Sequence, residues 1–256
     1  SSITTDTRFG RPNYDTRDAY MLDGTLLEEK SRKGNEITYR PLKETSFSRI
    51  KRYLDDNHWE ATDKSGTKRI YAQSKDSCAG SGARTFTWNL TRTEDANGNS
   101  VVYEYEKDSG YVYPAFIHYT GFNGKKGNYK VQFHYDNNGT ETRKDVRMDA
   151  RSREIISCKK LLTSITTHYK DEGYIRKYNF NYTEGLAKEK MLVSLAISNN
   201  AGESYEYTFD YTLPRKNDNG DIIYFAEAKE WSNGQPLQTG SSTGLGSNFS
   251  GSAGIG

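Results

Sequence analysis

The chain has 256 residues, 36 of them basic and 34 acidic for a formal net charge of +2; hydrophobic residues make up 33% and aromatics 13%, with 20 tyrosines against 10 phenylalanines. So balanced a charge supplies no global field for nucleic acid or anionic lipid, and no apolar run is long enough to cross a bilayer as a helix. With so few aliphatic side chains, burial has to come largely from amphipathic rings that pack their faces and wet their hydroxyls.

Taken from the N-terminus, Ser1-Ser2-Ile3 reads as an internal cut, and residues 1–13 as an incomplete lead-in. Turn chemistry then punctuates the chain at Asp55-Asp56-Asn57, Lys64-Ser65-Gly66, Asp95-Ala96-Asn97-Gly98, Asn137-Asn138-Gly139, Asp171-Glu172-Gly173, Asn199-Asn200-Ala201-Gly202 and Asn217-Asp218-Asn219-Gly220. Asn, Asp and Gly tolerate the positive φ of tight reversals, so these segments predict successive hairpins. Between them the pattern predicts strands over 19–23, 26–30, 36–40, 46–53, 58–63, 68–73, 84–92, 100–106, 114–120, 128–136, 142–149, 158–168, 174–183, 191–198 and 203–212. Ile50, Tyr53 and Leu54 have helical spacing, but the return of Trp59 after a turn favours a strand pair. The fold class is therefore all-β, a large antiparallel sheet of consecutive hairpins with little or no helix. After Pro214 the pattern dissolves, and glycine and serine dominate from Ser232 onwards, so residues 214–256 read as a linker towards a downstream domain.

The strongest periodicity lies in the middle and late strands. Trp88 begins it, followed by Tyr103 with Tyr105, Phe133 with Tyr135, Tyr178 with Phe180 and Tyr182, and Tyr207 with Phe209 and Tyr211. Alternation across a strand puts these rings on one face and Glu, Lys, Gln, Asn, Thr or Asp on the other. They are expected to be structural aromatic rows packed in a broad sheet core; stacking on sugar rings from an exposed row is the alternative.

No catalytic, cofactor-binding or metal-binding residues are expected. His58, His118, His134 and His168 are scattered without ligand spacing. Glu104 and Glu106 share one strand face, as a glycoside-cleaving pair would need to converge, yet a solvated outer face accounts for them. Gly80-Ser81-Gly82 lacks the strand, sharp turn and helix of a hydrolase nucleophile, and Asn217–Asp221 lacks the order of a calcium loop. Cys78 and Cys158 fit no metal spacing and no disulfide framework.

The order of segments nevertheless resembles a known family. Tyr14–Leu27, Tyr39-Arg40-Pro41, Glu44–Ile50, Trp59, Asp63–Thr67 with Tyr71, Trp88, Asp95 with Asn97-Gly98-Asn99, Tyr103-Glu104-Tyr105, Ile117–Thr120, Leu161 with Ile165, Tyr178–Tyr182, Leu192–Ile197 and Phe209-Asp210-Tyr211 are together similar to the SpvB-type N-terminal region of bacterial toxin complex B components and related RHS/YD-repeat proteins. The resemblance covers about residues 12–213 and places the β domain at 14–213. It implies a sandwich-like sheet or part of an RHS-type β shell, acting as a non-enzymatic scaffold that helps to enclose a toxin polypeptide. It implies as partners the downstream propeller and YD-repeat portions, and a secreted or cell-surface location.

Overall fold

The computed structural model describes residues 1–43, 47–80, 82–136, 144–170, 172–186, 188–212, 215–216, 219–220 and 222–223. The strands in chain order begin with β1 Ser2–Thr5, β2 Tyr20–Leu22, β3 Thr25–Lys33, β4 Glu36–Pro41, β5 Arg49–Tyr53, β6 His58–Thr62, β7 Lys68–Tyr71, β8 Cys78–Ala79 and β9 Thr87–Glu94. They continue as β10 Asn99–Asp108, β11 Tyr111–Phe122, β12 Tyr129–Tyr135, β13 Arg147–Asp149, β14 Ile156–Cys158, β15 Leu162–Tyr169, β16 Tyr174–Glu184, β17 Lys190–Asn199, β18 Ser204–Thr208, β19 Arg215–Lys216 and β20 Ile222–Ile223. Helical structure among the described residues is confined to two short 3-10 turns, Lys75–Ser77 and Gly82–Arg84.

Nearly every strand pairs antiparallel with its neighbour in sequence, as alternating runs joined by tight turns require. Asp95 shows how such a turn is held: its carboxylate accepts the backbone N–H groups of Asn97 and Asn99 at 2.9 and 2.8 Å and the Asn99 side-chain amide at 2.8 Å. These bonds, those of Asn99 first, hold its pKa below the ordinary carboxylate range. Gly98 follows at φ +86°, where a Cβ would approach the Asn123 side-chain oxygen to 2.7 Å. The Ile50 segment is strand β5, paired with β6 through Arg52↔Trp59 and Tyr53↔His58.

The first part of the sheet closes on itself. β1 pairs with β2 on one side and with β9 on the other, so β1 to β7 and β9 form an eight-stranded barrel-like ring. Residues 87–89 of β9 hold β1, whereas residues 92–94 pair with both β7 and β10. The ring is therefore closed along one half of β9, and along the other half the open sheet β10 to β18 departs. Between β12 and β15 the chain leaves the sheet to form the β13–β14 hairpin, whose Ile156 packs with Ala79, Phe86 and Val112 in a second small core. β19 and β20 form a separate two-stranded hairpin in the compact unit that begins at Asp210.

The main core fills the barrel. Alternation along β4 (Ile37, Tyr39) and β6 (Trp59, Ala61) turns every second residue inward, where they meet Ile3, Tyr20, Leu27, Ile50, Tyr71, Trp88 and Leu90. Tyr20, Trp59 and Trp88 meet edge to face with ring centroids 5.1–5.7 Å apart. Such pairs contribute about 1 kcal/mol each beyond their buried area.

This corrects the expected place of the core. Of the ring residues expected there, Trp88 alone is buried in it; Tyr103, Tyr105, Phe133, Tyr135, Tyr178, Phe180 and Tyr182 are half-buried. Tyr207, Phe209 and Tyr211 are 53%, 40% and 46% exposed, so the last row is a surface. The physical reason is layering: alternation puts rings on one face of a sheet, but burial needs a second layer. The barrel supplies that layer by rolling up, and the open sheet has none over β18 among the described residues. Ser2–Thr5, expected to be lead-in, is a barrel strand. The expected turn at 137–139, the strand segments 46 and 142–143, and most of 214–256 lie outside the described residues.

Candidate functional site

Two features stand out, the mouth of the barrel and the two faces of the open sheet. At the mouth lies a cavity of about 640 Å³. The β5–β6 turn shapes one side of it. Asn57 adopts the left-handed conformation (φ 56°), accepts the Trp88 indole N–H at 3.2 Å and donates to the Thr85 hydroxyl at 3.0 Å. Across the mouth, the Asp18 carboxylate accepts the backbone N–H groups of Asn13 and Tyr14 at 2.8 and 2.6 Å, and the Tyr14 hydroxyl donates to the Ser152 carbonyl at 2.5 Å.

Arg52, projecting from β5, sits between these walls. Its guanidinium carbon lies 4.7, 5.2 and 5.4 Å from the ring centroids of Tyr20, Trp59 and Trp88, and Nη1 donates to the Tyr20 hydroxyl at 2.6 Å. Cation–π attraction of this kind stabilises a partly desolvated guanidinium by about 1–2 kcal/mol. Burial pushes the nearby Tyr39 phenol up to about 12, an effect the Arg52 charge partly offsets, so Tyr39 is neutral at pH 7 and is no counter-ion.

On the open sheet, cross-strand register lines up one apolar face. It runs Tyr103↔Ile117↔Val131, then Phe133↔Ile165↔Tyr178↔Ile197↔Tyr205, with Phe180↔Leu195↔Tyr207 alongside. Exposure grows towards the edge strand β18, where Tyr205 and Tyr207 meet edge to face at 5.4 Å. Inner rings anchor their hydroxyls on backbone carbonyls: Tyr105 on Leu90 at 2.6 Å, Tyr135 on Pro114 at 2.9 Å and Tyr182 on Leu162 at 2.9 Å. Each is thus a packed ring with a satisfied polar tip.

The opposite face is polar. Glu104 is bonded by Lys126 and lies 3.4 Å from His118, while Glu106 takes Lys160 at 3.0 Å. Each carboxylate therefore has its own cation, and the Lys126 contact with the His118 charge holds Glu104 below the usual carboxylate range against its partial burial. Further along this face His134 and His168 both reach the Thr166 hydroxyl at 2.8 Å. The described residues contain no cluster of three or more His, Cys, Asp or Glu with metal-ligand geometry. Cys78 is buried in the barrel core, where burial raises its thiol, and Cys158 lies on β14.

Burial lowers the His134 imidazole below its ordinary value, helped by the charges of Lys177 and His168. A depressed histidine takes up its proton more readily in the unfolded chain, so stability is full above about pH 6.5 and falls as the pH drops below that value. His134→Gln is expected to flatten this part of the stability profile, read by urea unfolding between pH 5 and 7. An unchanged slope would show that His134 does not titrate in the folded sheet.

Sequence reasoning missed Arg52 and the barrel mouth. The only local signal was that Arg52 alternates onto the same face of β5 as the apolar Ile50, and its ring partners come from three other strands.

The family model for SpvB, described as Salmonella virulence plasmid 65kDa B protein, matches residues 1–232. Comparison with curated proteins gave no match. Among solved structures, the fold is similar to the N-terminal domain of effector protein SpvB from Salmonella typhimurium strain LT2, with 14% identity and a TM-score of 0.65, covering 82% of this chain and 87% of that one. It is also similar to a chain of the TcdB2-TccC3-Cdc42 crystal structure, with 16% identity and a TM-score of 0.68, covering 80% of this chain and 13% of that one. A chain of the Photorhabdus luminescens Tc holotoxin pore gives the same values, so this chain spans 13% of either toxin chain. At these identities the likeness is one of fold.

Proposed function

Because the chain belongs to the SpvB family, we propose that it is a non-enzymatic structural segment of a larger toxin-complex-like protein, contributing β-sheet wall to a shell that encloses a toxin polypeptide. The observation that carries this reading is the one-sided apolar ladder that crosses the open sheet and ends in the exposed rings Tyr205 and Tyr207 on β18, with Phe209 just past its end. Exposed apolar surface of that extent beside an open strand edge favours a covering layer. The covering layer is downstream propeller and YD-repeat polypeptide, to which residues 214–256 lead as a linker. The location is secreted or on the bacterial surface, and the polar face, with its carboxylates individually paired, is a solvated wall rather than a reaction centre.

Tyrosine nitration followed by mass spectrometry tests the wall. Tyr205, Tyr207 and Tyr211 are expected to react in the isolated chain and to be protected at least 5-fold within the longer polypeptide that carries it. Equal reactivity in both would remove the covering layer and with it the shell. The same exposed row favours one other reading, recognition of a glycan by stacking. Saturable glycan binding abolished by Tyr207→Ala would select that reading instead.

A further inference from the structure

The barrel mouth holds a charged fork whose hydrogen bonds are incomplete. Arg52 Nε is buried without an acceptor, and among the described residues no carboxylate pairs with the guanidinium, which borders the cavity. A guanidinium presents five N–H donors in a planar fork, matched in shape to a carboxylate, and a buried donor left unmet is destabilising. The Tyr20 hydroxyl accepts Nη1, while the faces of the three rings offset the charge and leave Nε without an acceptor.

The rim narrows the class of anion. Five carboxylates line the cavity against two guanidiniums, those of Arg32 and Arg52; Arg32 is bonded by Glu29 at 3.0 Å and Asp15 by Arg17 at 2.5 Å, which leaves Asp18, Asp55 and Asp56 without a guanidinium partner among the described residues. That excess of negative charge disfavours a phosphate dianion but accepts hydroxyl donors well. Tyr14 and Trp88 add aromatic carbon surface, and a volume of about 640 Å³ suits a small ligand. We infer that the barrel mouth is a binding site for a saccharide carrying a single carboxylate, a uronic acid, with the carboxylate on Arg52 and the hydroxyls on the acidic rim. The site is separate from the exposed tyrosine row, and its occupancy does not depend on the shell.

Titration of the full chain with sodium glucuronate, glucose, acetate and inorganic phosphate, followed by calorimetry and tryptophan fluorescence, tests the assignment. Glucuronate is expected to bind at least 10-fold more tightly than the other three. Arg52→Gln is expected to abolish that preference, and Arg52→Lys, which keeps the charge but loses the fork, to weaken glucuronate about 10-fold. Independently of how either variant folds, a crystal structure of the wild-type chain with glucuronate is expected to place its carboxylate within hydrogen-bond reach of Arg52. The proposal is overturned by the absence of glucuronate binding, by glucose or phosphate binding as tightly, by variants that fold and bind unchanged, or by a ligand seated away from Arg52.

Discussion

Trp59→Ala is expected to lower the stability of the barrel by about 3–5 kcal/mol, the usual cost of removing a buried large aromatic. Trp59 is fully buried, contacts the rings of Tyr20, Tyr39 and Trp88, and carries part of the Arg52 charge on its face. Its cavity would open between strands that are hydrogen-bonded on both sides, so collapse around it is restricted. Trp59→Phe is expected to cost less than half as much, because the indole N–H has no partner to lose and most of the ring contact survives. Urea unfolding distinguishes them: the midpoint should fall steeply for the alanine variant and slightly for phenylalanine, with the slope conserved. A loss below about 1 kcal/mol for alanine would contradict a close-packed barrel interior.

Ile3→Asp is expected to open the barrel. Ile3 is fully buried and is the second residue of β1, opposite Leu22 on one side and Trp88 on the other. A carboxylate there would be desolvated among apolar side chains with no cation to pair it, at a cost of at least about 3 kcal/mol, whereas Ile3→Val should cost about 1 kcal/mol. Because β1 pairs with β2 and with residues 87–89 of β9, whereas β10 pairs with residues 92–94, its loss leaves the pairings of β10 to β18 intact. Amide hydrogen exchange should therefore accelerate in β1, β2 and the first half of β9 while β15 to β17 keep their protection. Uniform acceleration throughout would mean that barrel and open sheet unfold as one cooperative unit.

Several elements are legible in the amino-acid sequence alone. The turn at Asp95–Gly98 needed only an acceptor side chain and a residue that tolerates positive φ, and both are local properties. The pairing of β5 with β6 followed from Trp59 returning after Asp55-Asp56-Asn57. The aromatic rows do lie on one face, since alternation is a property of the extended backbone. Their burial was not legible in the same way, because Tyr207 and Tyr182 have the same local pattern and differ in whether another strand lies beyond them. Ser2–Thr5 gave no signal either: four residues are too short for a period, and what makes them a strand is the pair of edges, β2 and β9, between which they fit.

By itself, then, the amino-acid order determined the strand class, the succession of hairpins and the side of the sheet on which each ring stands, and its ordered segments carried the resemblance to the family. These depend on backbone geometry over a few residues. The tertiary structure alone decided that the first strands close into a ring, that the core lies inside that ring rather than along the tyrosine rows, and that Arg52 meets Tyr20, Trp59 and Trp88. Those outcomes depend on contacts between residues far apart in the chain, set by twist and closure of the whole sheet, for which no short run of sequence carries a sign.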